Sequence, residues 1–189
     1  VLEAMAKRGI DTLVIHSAPN IYYLSGHHTM NLWDYQCLVL PSAGEPFMVL
    51  WQFERGCFEM TAGPCGVDYY DTGADFVAET KASIERRGLL KGTIGLEDNS
   101  RYLTPQLHAK LTAAFAPAKV VGCSTVVELV RVVKSEAELA LMRRAAAITD
   151  DAIEAAFAAI RDGVTDSHVC AVAARTLIEA DSLAFSVHP

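Results

Sequence analysis

The sequence predicts a layered α/β domain with a mixed sheet, followed by a helical segment. Short β-branched apolar runs alternate with amphipathic stretches of helical length, a pattern typical of strands covered by helices. Two of the runs, residues 35–40 and 47–52, flank a loop that contains Pro and Gly, which predicts an antiparallel hairpin. From residue 136 to 181 the apolar periodicity is helical only.

Glycines, prolines and capping side chains set the bounds of the predicted elements. We expect strands at residues 10–16, 35–40, 47–52, 67–70, 93–97, 119–122 and 183–187. We expect helices at residues 2–8, 20–26, 53–62, 74–87, 105–115, 136–162 and 166–181. Asn20 is the expected cap of the second helix. Thr104 is the expected cap of the fifth, and Pro105 suits its first position because proline lacks the N–H that would stay unbonded there.

The long helix near the end of the chain has a specific start signal. Ser135 and Glu138 match a capping box, in which each side chain binds the backbone N–H of the other residue. The helix should therefore begin at Glu136. Mainly apolar residues then recur every three or four positions until Gly163, which predicts an amphipathic helix with one apolar face. This stripe consists of Leu139, Met142, Ala146, Thr149, Ile153, Phe157 and Ile160.

Composition excludes several classes of protein. The formal net charge is −7 over 189 residues, and the basic residues cluster only as short pairs, which argues against nucleic-acid binding. The five cysteines show no Cys-x-x-Cys spacing, so neither a disulfide framework nor a zinc knuckle is predicted. No apolar run is long enough to span a bilayer, and no signal peptide opens the chain. We expect a soluble cytoplasmic protein without a nucleic-acid or membrane partner.

Two segments resemble a known family. Residues 131–139 read Arg-Val-Val-Lys-Ser-Glu-Ala-Glu-Leu, similar to the R-x-x-K-S-x-x-E-[LI] segment that opens the catalytic half of the pita-bread hydrolases. This family includes aminopeptidase P, prolidase, creatinase and ectoine hydrolase. Residues 20–26 read Asn-Ile-Tyr-Tyr-Leu-Ser-Gly, which resembles the N-x-x-Y-L-[ST]-G segment of the amino-terminal domain in the same proteins. The order and separation of the two segments make the resemblance specific.

The resemblance implies a two-domain organisation and a fragment. It implies a three-layer, creatinase/prolidase-like amino-terminal domain with a mixed sheet over residues 1–130. The first helices of a truncated α+β pita-bread catalytic domain then occupy residues 131–189. The chain opens at Val1 inside a predicted helix and stops at Pro189 just after an apolar run, so both ends look cut. His188 lies where relatives approach a substrate-binding histidine, but its motif is incomplete and its role is left unassigned.

Several catalytic motifs are absent, and the family ligands fall outside the chain. There is no Gly-rich phosphate loop, no G-x-S-x-G elbow and no H-E-x-x-H. In the resembled family two aspartates, a histidine and two glutamates hold a pair of divalent ions, Mn, Co or Zn, on a later sheet. The resemblance therefore implies a metal pair in the full-length protein and none in this fragment. Asp150 and Asp151 point about 100° apart on a helix and cannot hold one ion together.

The candidate site is the loop at residues 27–35, which carries two histidines, a tryptophan and an acid. In the resembled family the equivalent loop reaches across a homodimer and lines the active site of the partner. On that resemblance His27, His28, Trp33 and Asp34 would contact substrate in trans. The alternative is an ordinary exposed loop with Trp33 packed on the hairpin. A metal site on the two histidines is disfavoured because no third ligand is nearby.

One departure from the family bears on the ligand. Creatine-cleaving members grip a carboxylate with an arginine in this loop, whereas no arginine lies between Gly26 and Arg55 here. Asp34 takes roughly that place. An acid beside an indole favours a cationic or amino-bearing group through charge complementarity and cation–π attraction.

Three functions stay open at this point. The first is a metal-dependent hydrolase of the Xaa-Pro aminopeptidase/prolidase type, and we favour it. The second is a relative that cleaves a small C–N or C–S compound, as ectoine hydrolase, creatinase or dimethylsulfoniopropionate lyase does. The third is a non-catalytic binding module. We expect the 189 residues alone to lack hydrolase activity and a tight metal site, and to expose apolar surface around Leu139, Met142 and Ile153.

Overall fold

The chain folds into two compact units. The computed structural model describes residues 1–29 and 34–182, and it divides the chain into Val1–Val132 and Val133–Pro189. The first unit is a three-layer α/β domain with a mixed sheet, which confirms the predicted fold class. The described part of the second unit consists of two helices joined by a short turn.

The first unit is built on a sheet of six described strands. Their order across the sheet is β4-β3-β2-β1-β5-β6. β2 is antiparallel to both of its neighbours, whereas the other pairs are parallel. The predicted hairpin between β2 and β3 is therefore confirmed. The strands are β1 (Thr12–Ile15), β2 (Gln36–Pro41), β3 (Phe47–Trp51), β4 (Gly66–Tyr70), β5 (Thr93–Leu96) and β6 (Lys119–Gly122).

Helices follow or connect these strands, and most were predicted. A short 3-10 turn at Gln52–Glu54 leads into the third helix. In the first unit the helices are α1 (Leu2–Lys7), α2 (Ala18–Ser25), α3 (Arg55–Thr61), α4 (Phe76–Arg86), α5 (Pro105–Ala114) and α6 (Val126–Val132). In the second unit they are α7 (Glu136–Ala159) and α8 (Asp166–Glu179).

Both faces of the sheet are buried, so the strands read as continuous apolar runs. Along β1, Val14 packs on one side of the sheet while Leu13 and Ile15 pack on the other. The first side is covered by α4 and α5 through Val77, Ile84, Leu111 and Phe115. The second side is covered by α1, α2, α3 and α6 through Met5, Ile21, Phe58, Val126 and Val127.

One expectation about helices is wrong, and one helix was not predicted. Asn20 does not cap α2: the N-cap residue is Ser17, and Asn20 lies inside the helix, fully buried. Pro19 explains the difference, since a proline fits the first turn of a helix and so places the cap before it. Helix α6 was not predicted, because its valine-rich sequence has low helix propensity. Burial of Val126 and Val127 against the sheet stabilises it instead.

The second unit follows the predicted helix start. Ser135 Oγ accepts a hydrogen bond from the Glu138 N–H at 3.3 Å, and the Glu138 carboxylate accepts one from the Ser135 N–H at 2.8 Å, so the capping box is confirmed. Helices α7 and α8 pack on each other through small residues, including Ala152, Ala159 and Ala173.

Two of the three apolar residues expected at the surface of this unit are exposed. Met142 is 53% exposed and Ile153 is 47% exposed, whereas Leu139 is half-buried. The predicted strand at residues 183–187 and His188 lie outside the described residues.

Candidate functional site

The candidate site lies at the edge where the five parallel strands end. Because β2 runs in the opposite direction, the chain enters β2 at this same edge. Strand pairing therefore brings the residues just after β1 and β5 close to the residues just before β2. In open α/β sheets, ligands bind preferentially at the carboxyl ends of the parallel strands.

His27 lies inside the first unit rather than on its surface. Its side chain is 2% exposed and contacts the ring of Phe58 in α3, with the ring centroids 5.6 Å apart. Neither ring nitrogen has a hydrogen-bond partner among the residues that the structure describes. Burial lowers the pKa of His27, and the nearby Glu54 carboxylate opposes this shift. The imidazole is therefore neutral at pH 7.

His28 lies beside the same helix, with its side chain half-buried. Its backbone N–H donates to Thr61 Oγ1 at 3.0 Å, and its ring meets the edge of the Tyr22 ring at 5.8 Å between centroids. Thus both histidines lie against helices α2 and α3.

Asp34 occupies a different place from the histidines. It is exposed and lines a cavity of about 770 Å³ beside α4 and α5. Neither His27 nor His28 is among the residues that line this cavity. Trp33 lies outside the described residues. The structure therefore separates the acid of the predicted site from the two histidines.

Five of the thirteen residues that line the cavity are aromatic, and contacts within the protein hold several of them in place. The Tyr35 ring stacks on Phe76 with centroids 4.6 Å apart. The Tyr70 hydroxyl donates to the Tyr35 carbonyl at 2.6 Å, and Trp51 Nε1 donates to Thr72 Oγ1 at 3.0 Å. The complete lining consists of Asp34, Tyr35, Gln36, Trp51, Tyr70, Thr72, Gly73, Ala74, Phe76, Arg101, Tyr102, Thr104 and Leu107.

Two tyrosines of this wall, Tyr35 and Tyr70, stay protonated. Burial raises the pKa of Tyr70, and the negative charge of Asp34 raises it further. Burial likewise raises the pKa of Tyr35 well above its ordinary value. The cavity therefore combines neutral aromatic faces with one acid, Asp34, and one base, Arg101.

A buried polar network borders the same edge of the sheet. Glu97, just after β5, accepts hydrogen bonds from the backbone N–H groups of His16 and Ser17 at 2.8 and 2.6 Å. The Asn20 side-chain amide donates to Glu97 and also to Glu128 in α6, the latter at 2.9 Å. Burial raises the pKa of Glu97, while its N–H donors oppose the shift. Sequence reasoning missed Glu97 because a single acid after a strand forms no motif.

The two signature segments meet in this network. Arg131 Nη1 donates to Asn20 Oδ1 at 2.6 Å. The same guanidinium lies over the ring of Tyr23, 5.5 Å from its centroid. Asn20 and Tyr23 belong to the first signature, and Arg131 opens the second. Their proximity gives the signature residues a structural role, which is to fasten α6 onto α2.

A family model matches most of this chain. The creatinase/prolidase N-terminal domain model covers residues 1–133, which is the whole first unit. The chain belongs to the creatinase/prolidase N-terminal domain family.

Curated relatives of this creatinase/prolidase-type chain include hydrolases. An uncharacterized hydrolase/peptidase, y4tL, of Sinorhizobium fredii is 30% identical over 189 residues, covering 92% of this chain and 46% of the relative. The ectoine hydrolase of Halomonas elongata is 28% identical over 158 residues, covering 76% of this chain and 38% of the relative. The creatinase/prolidase-type chain thus spans less than half the length of either relative.

Solved structures show the same fold. The X-Pro aminopeptidase from Thermotoga maritima superposes with a TM-score of 0.73 at 20% identity, covering 94% of this chain and 49% of that chain. At this identity the likeness establishes the fold alone of the creatinase/prolidase-type chain.

The described residues of this creatinase/prolidase-type chain bring together no metal site. Within residues 1–29 and 34–182, no three His, Cys, Asp or Glu side chains converge as ligands. A metal pair of the kind that the family implies therefore does not fit on these residues. Over the same ranges, no helix has the length and apolarity needed to cross a membrane.

Proposed function

We propose that this chain is the amino-terminal part of a metal-dependent hydrolase of the Xaa-Pro aminopeptidase/prolidase type. The observation that carries the proposal is the family match over residues 1–133. The similarity to a hydrolase/peptidase continues through 92% of the chain, and therefore into the second unit. The fold shared with an X-Pro aminopeptidase also supports it.

The proposed reaction is hydrolysis of the peptide bond before proline. In metal-dependent hydrolases, bound divalent ions such as Mn, Co or Zn lower the pKa of a water molecule and stabilise the oxyanion. We assign the ligands for such ions to a part of the full-length protein outside the described residues. The residues of this chain would bind and orient the substrate.

We further propose a cytoplasmic homodimer that binds no nucleic acid or membrane. In it His28, Trp33 and Asp34 contact the substrate of the partner subunit, whereas His27 holds the loop in place from within the first unit. The exposed carboxylate of Asp34 suits the ammonium group of a peptide. The buried position of His27 suits a supporting role for that residue. The five cysteines are all free, which supports a reducing compartment.

A second candidate is cleavage of a small C–N or C–S compound. The aromatic wall of the cavity favours it, because such a wall with a single acid suits a compact cation better than it suits an extended peptide. The 28% identity to an ectoine hydrolase also points in this direction.

The full-length protein, loaded in turn with Mn²⁺, Co²⁺ or Zn²⁺, provides the test. We expect metal-dependent cleavage of Xaa-Pro dipeptides and tripeptides, and much slower cleavage of matched Xaa-Ala peptides. The 189-residue chain should cleave neither. Cleavage of ectoine or creatine without Xaa-Pro cleavage would establish the second candidate, and inactivity on every substrate would refute both.

The contact in trans can be tested with mixed dimers. One subunit carries Asp34→Ala, and the other lacks its metal ligands. If the loop acts across the dimer, the first subunit receives an intact loop from the second, and the mixed dimer regains activity that neither homodimer has. Mixed dimers that stay inactive would place the loop in the active site of its own subunit.

A further inference from the structure

Glu54 is a buried acid at the point where the 3-10 turn leads into α3. Its side chain is only 6% exposed, and burying an acid costs free energy unless the carboxylate is hydrogen-bonded. One carboxylate oxygen accepts a hydrogen bond from Thr29 Oγ1 at 2.6 Å, a length typical of a hydroxyl bonded to a carboxylate. Thr29 belongs to the loop at residues 27–35. The acid at the start of α3 is therefore bonded directly to the loop that carries the candidate site.

Helix α3 also holds this loop at its other end. Thr61 Oγ1, in the last residue of the helix, accepts a hydrogen bond from the His28 N–H at 3.0 Å. Between the two ends, the His27 ring packs on Phe58, which is buried against the sheet. One helix, anchored in the core, thus fixes the beginning of the loop through both of its ends.

The charge of Glu54 acts on groups at both ends of the loop. At the first end, it opposes the lowering of the His27 pKa by burial. At the far end, burial raises the pKa of Tyr70 and the Glu54 charge adds to that shift. The Tyr70 hydroxyl in turn donates to the carbonyl of Tyr35, where the loop ends. Glu54 is therefore close both to the histidines and to the cavity wall.

We propose that Glu54 is a positioning residue for the substrate of the partner subunit. Its bond to Thr29 fixes the beginning of the loop, and so sets how His28 and the residues that follow meet the substrate. Glu54 itself is buried and touches no substrate. The effect on the substrate rests on the proposed function, whereas the hold on the loop can be measured on the 189-residue chain without any activity.

Kinetics of the full-length enzyme on Xaa-Pro peptides test the role of Glu54. Thr29→Val removes the hydroxyl and nearly keeps the shape of the side chain. It should raise KM about tenfold with little change in kcat, because the loop contacts are lost equally from the bound substrate and the transition state. Glu54→Gln keeps an acceptor without the charge and should raise KM less. Thr29→Ser, which keeps the hydroxyl, should recover most of the loss.

A control variant and the separate values of KM and kcat exclude a general effect on the fold. Glu59→Gln changes an exposed acid of the same helix and should leave both constants unchanged. A variant that only lowers the fraction of folded enzyme lowers the apparent kcat and leaves KM alone. That result for Thr29→Val would overturn the proposal, as would a wild-type KM in both Thr29→Val and Glu54→Gln.

Amide hydrogen exchange of the 189-residue chain tests the hold on the loop independently of catalysis. Exchange over residues 26–35 should be about fivefold or more faster in Thr29→Val than in wild type, and unchanged in Thr29→Ser and Glu59→Gln. Equal rates in Thr29→Val and wild type would overturn the proposal. Faster exchange without any Xaa-Pro cleavage by the full-length protein would refute the proposed function, and with it the effect on the substrate, but not the hold on the loop.

Discussion

His16 is buried at the end of β1 in an environment that disfavours its charged form. The side chain is 1% exposed, and neither ring nitrogen has a hydrogen-bond partner among the described residues. Its ring centroid lies 5.6 Å from that of Tyr35. Burial lowers the pKa of His16 to about 3, and an electrostatic effect of His108 contributes to the shift. Its imidazole therefore stays neutral where an exposed one would begin to protonate.

This shift predicts a loss of stability in acid. Between the unfolded pKa and the folded pKa of His16, the unfolded chain binds a proton that the folded chain does not. The free energy of unfolding should therefore fall as the pH falls through this range, by up to about 1.4 kcal/mol per pH unit. Urea unfolding of wild type and His16→Gln between about pH 4 and pH 7 should give a shallower slope for the variant.

A matched control isolates the His16 effect from other titrations. The raised pKa of Glu97 acts in the opposite direction, since protonation of that carboxyl in acid favours the folded state. The comparison therefore uses the difference in slope, with pH, between the unfolding free energies of wild type and His16→Gln. The absolute slope of either protein also contains the Glu97 contribution. His168→Gln, at an exposed position in α8, should keep the wild-type slope. Parallel slopes for wild type and His16→Gln would contradict the assignment.

Gly26 is required by both its backbone conformation and its surroundings. Its φ is +74°, and a Cβ at this position would lie 3.1 Å from the Thr61 carbonyl oxygen. Gly9 has a similar φ of +63° but open space around it. Gly9→Ala should therefore cost about 1 kcal/mol of unfolding free energy, and Gly26→Ala should cost more. Thermal or urea unfolding gives both values. Equal losses of unfolding free energy in the two variants would show that the backbone at Thr61 moves away from the added Cβ at little cost.

At the scale of elements, Asn20 in α2 and Arg131 in α6 should contribute to the free energy of unfolding in a coupled way. Asn20 links the Arg131 guanidinium to the carboxylates of Glu97 and Glu128 in a largely buried setting. A double-mutant cycle with Asn20→Leu and Arg131→Met should give a coupling energy of about 0.5–3 kcal/mol. Asn20→Leu should be the more damaging single change, because it removes a hydrogen-bond donor from two carboxylates.

The exposed pair Arg175–Glu179 in α8 serves as the control cycle. Its side chains are 77% and 62% exposed, so the charges are well solvated. Coupling there should be close to zero. If the Asn20–Arg131 cycle shows no more coupling than this surface pair, the two signature segments are not fastened together in solution.

Most elements could be predicted because local sequence and tertiary packing agree. Strands buried on both faces leave unbroken apolar runs, and side chains such as Ser135, Thr104 and Thr165 cap helices through bonds within a few residues. Helix α6 could not be predicted, because packing on the sheet overrides its valine-rich sequence.

The candidate site was only partly predictable for a related reason. The chemistry of the loop pointed to Asp34, which the structure places in the cavity wall. The other charged and aromatic members come from distant parts of the chain, such as Trp51 and Arg101, and only the strand order brings them together. The burial of His27 was also beyond sequence reasoning, since it depends on the position of Phe58 in α3.

At the scale of the whole molecule, the second unit presents much apolar surface. Large apolar side chains on α7 are well exposed, including Leu141 at 67% and Phe157 at 70%. The 189-residue chain should therefore bind a hydrophobic dye such as anilinonaphthalene sulfonate more strongly than a compact protein of equal length. Leu141→Asp with Phe157→Asp should reduce the dye fluorescence.

A second double variant distinguishes dye binding to this apolar surface from dye binding to partly unfolded protein. Asp150→Asn with Asp151→Asn changes charge on the same helix without removing apolar area, and should leave dye fluorescence nearly unchanged. Fluorescence at the level of the compact reference would show that these side chains are covered in solution.

The single reversed strand, β2, has a consequence for how ligand preference can diverge. Its direction makes the polypeptide that carries Asp34 enter the sheet at the edge where the parallel strands end. The length and chemistry of that connector can change while every ladder of the sheet keeps its register. A substitution at the exposed Asp34 can therefore change ligand preference without altering the pairing of the strands.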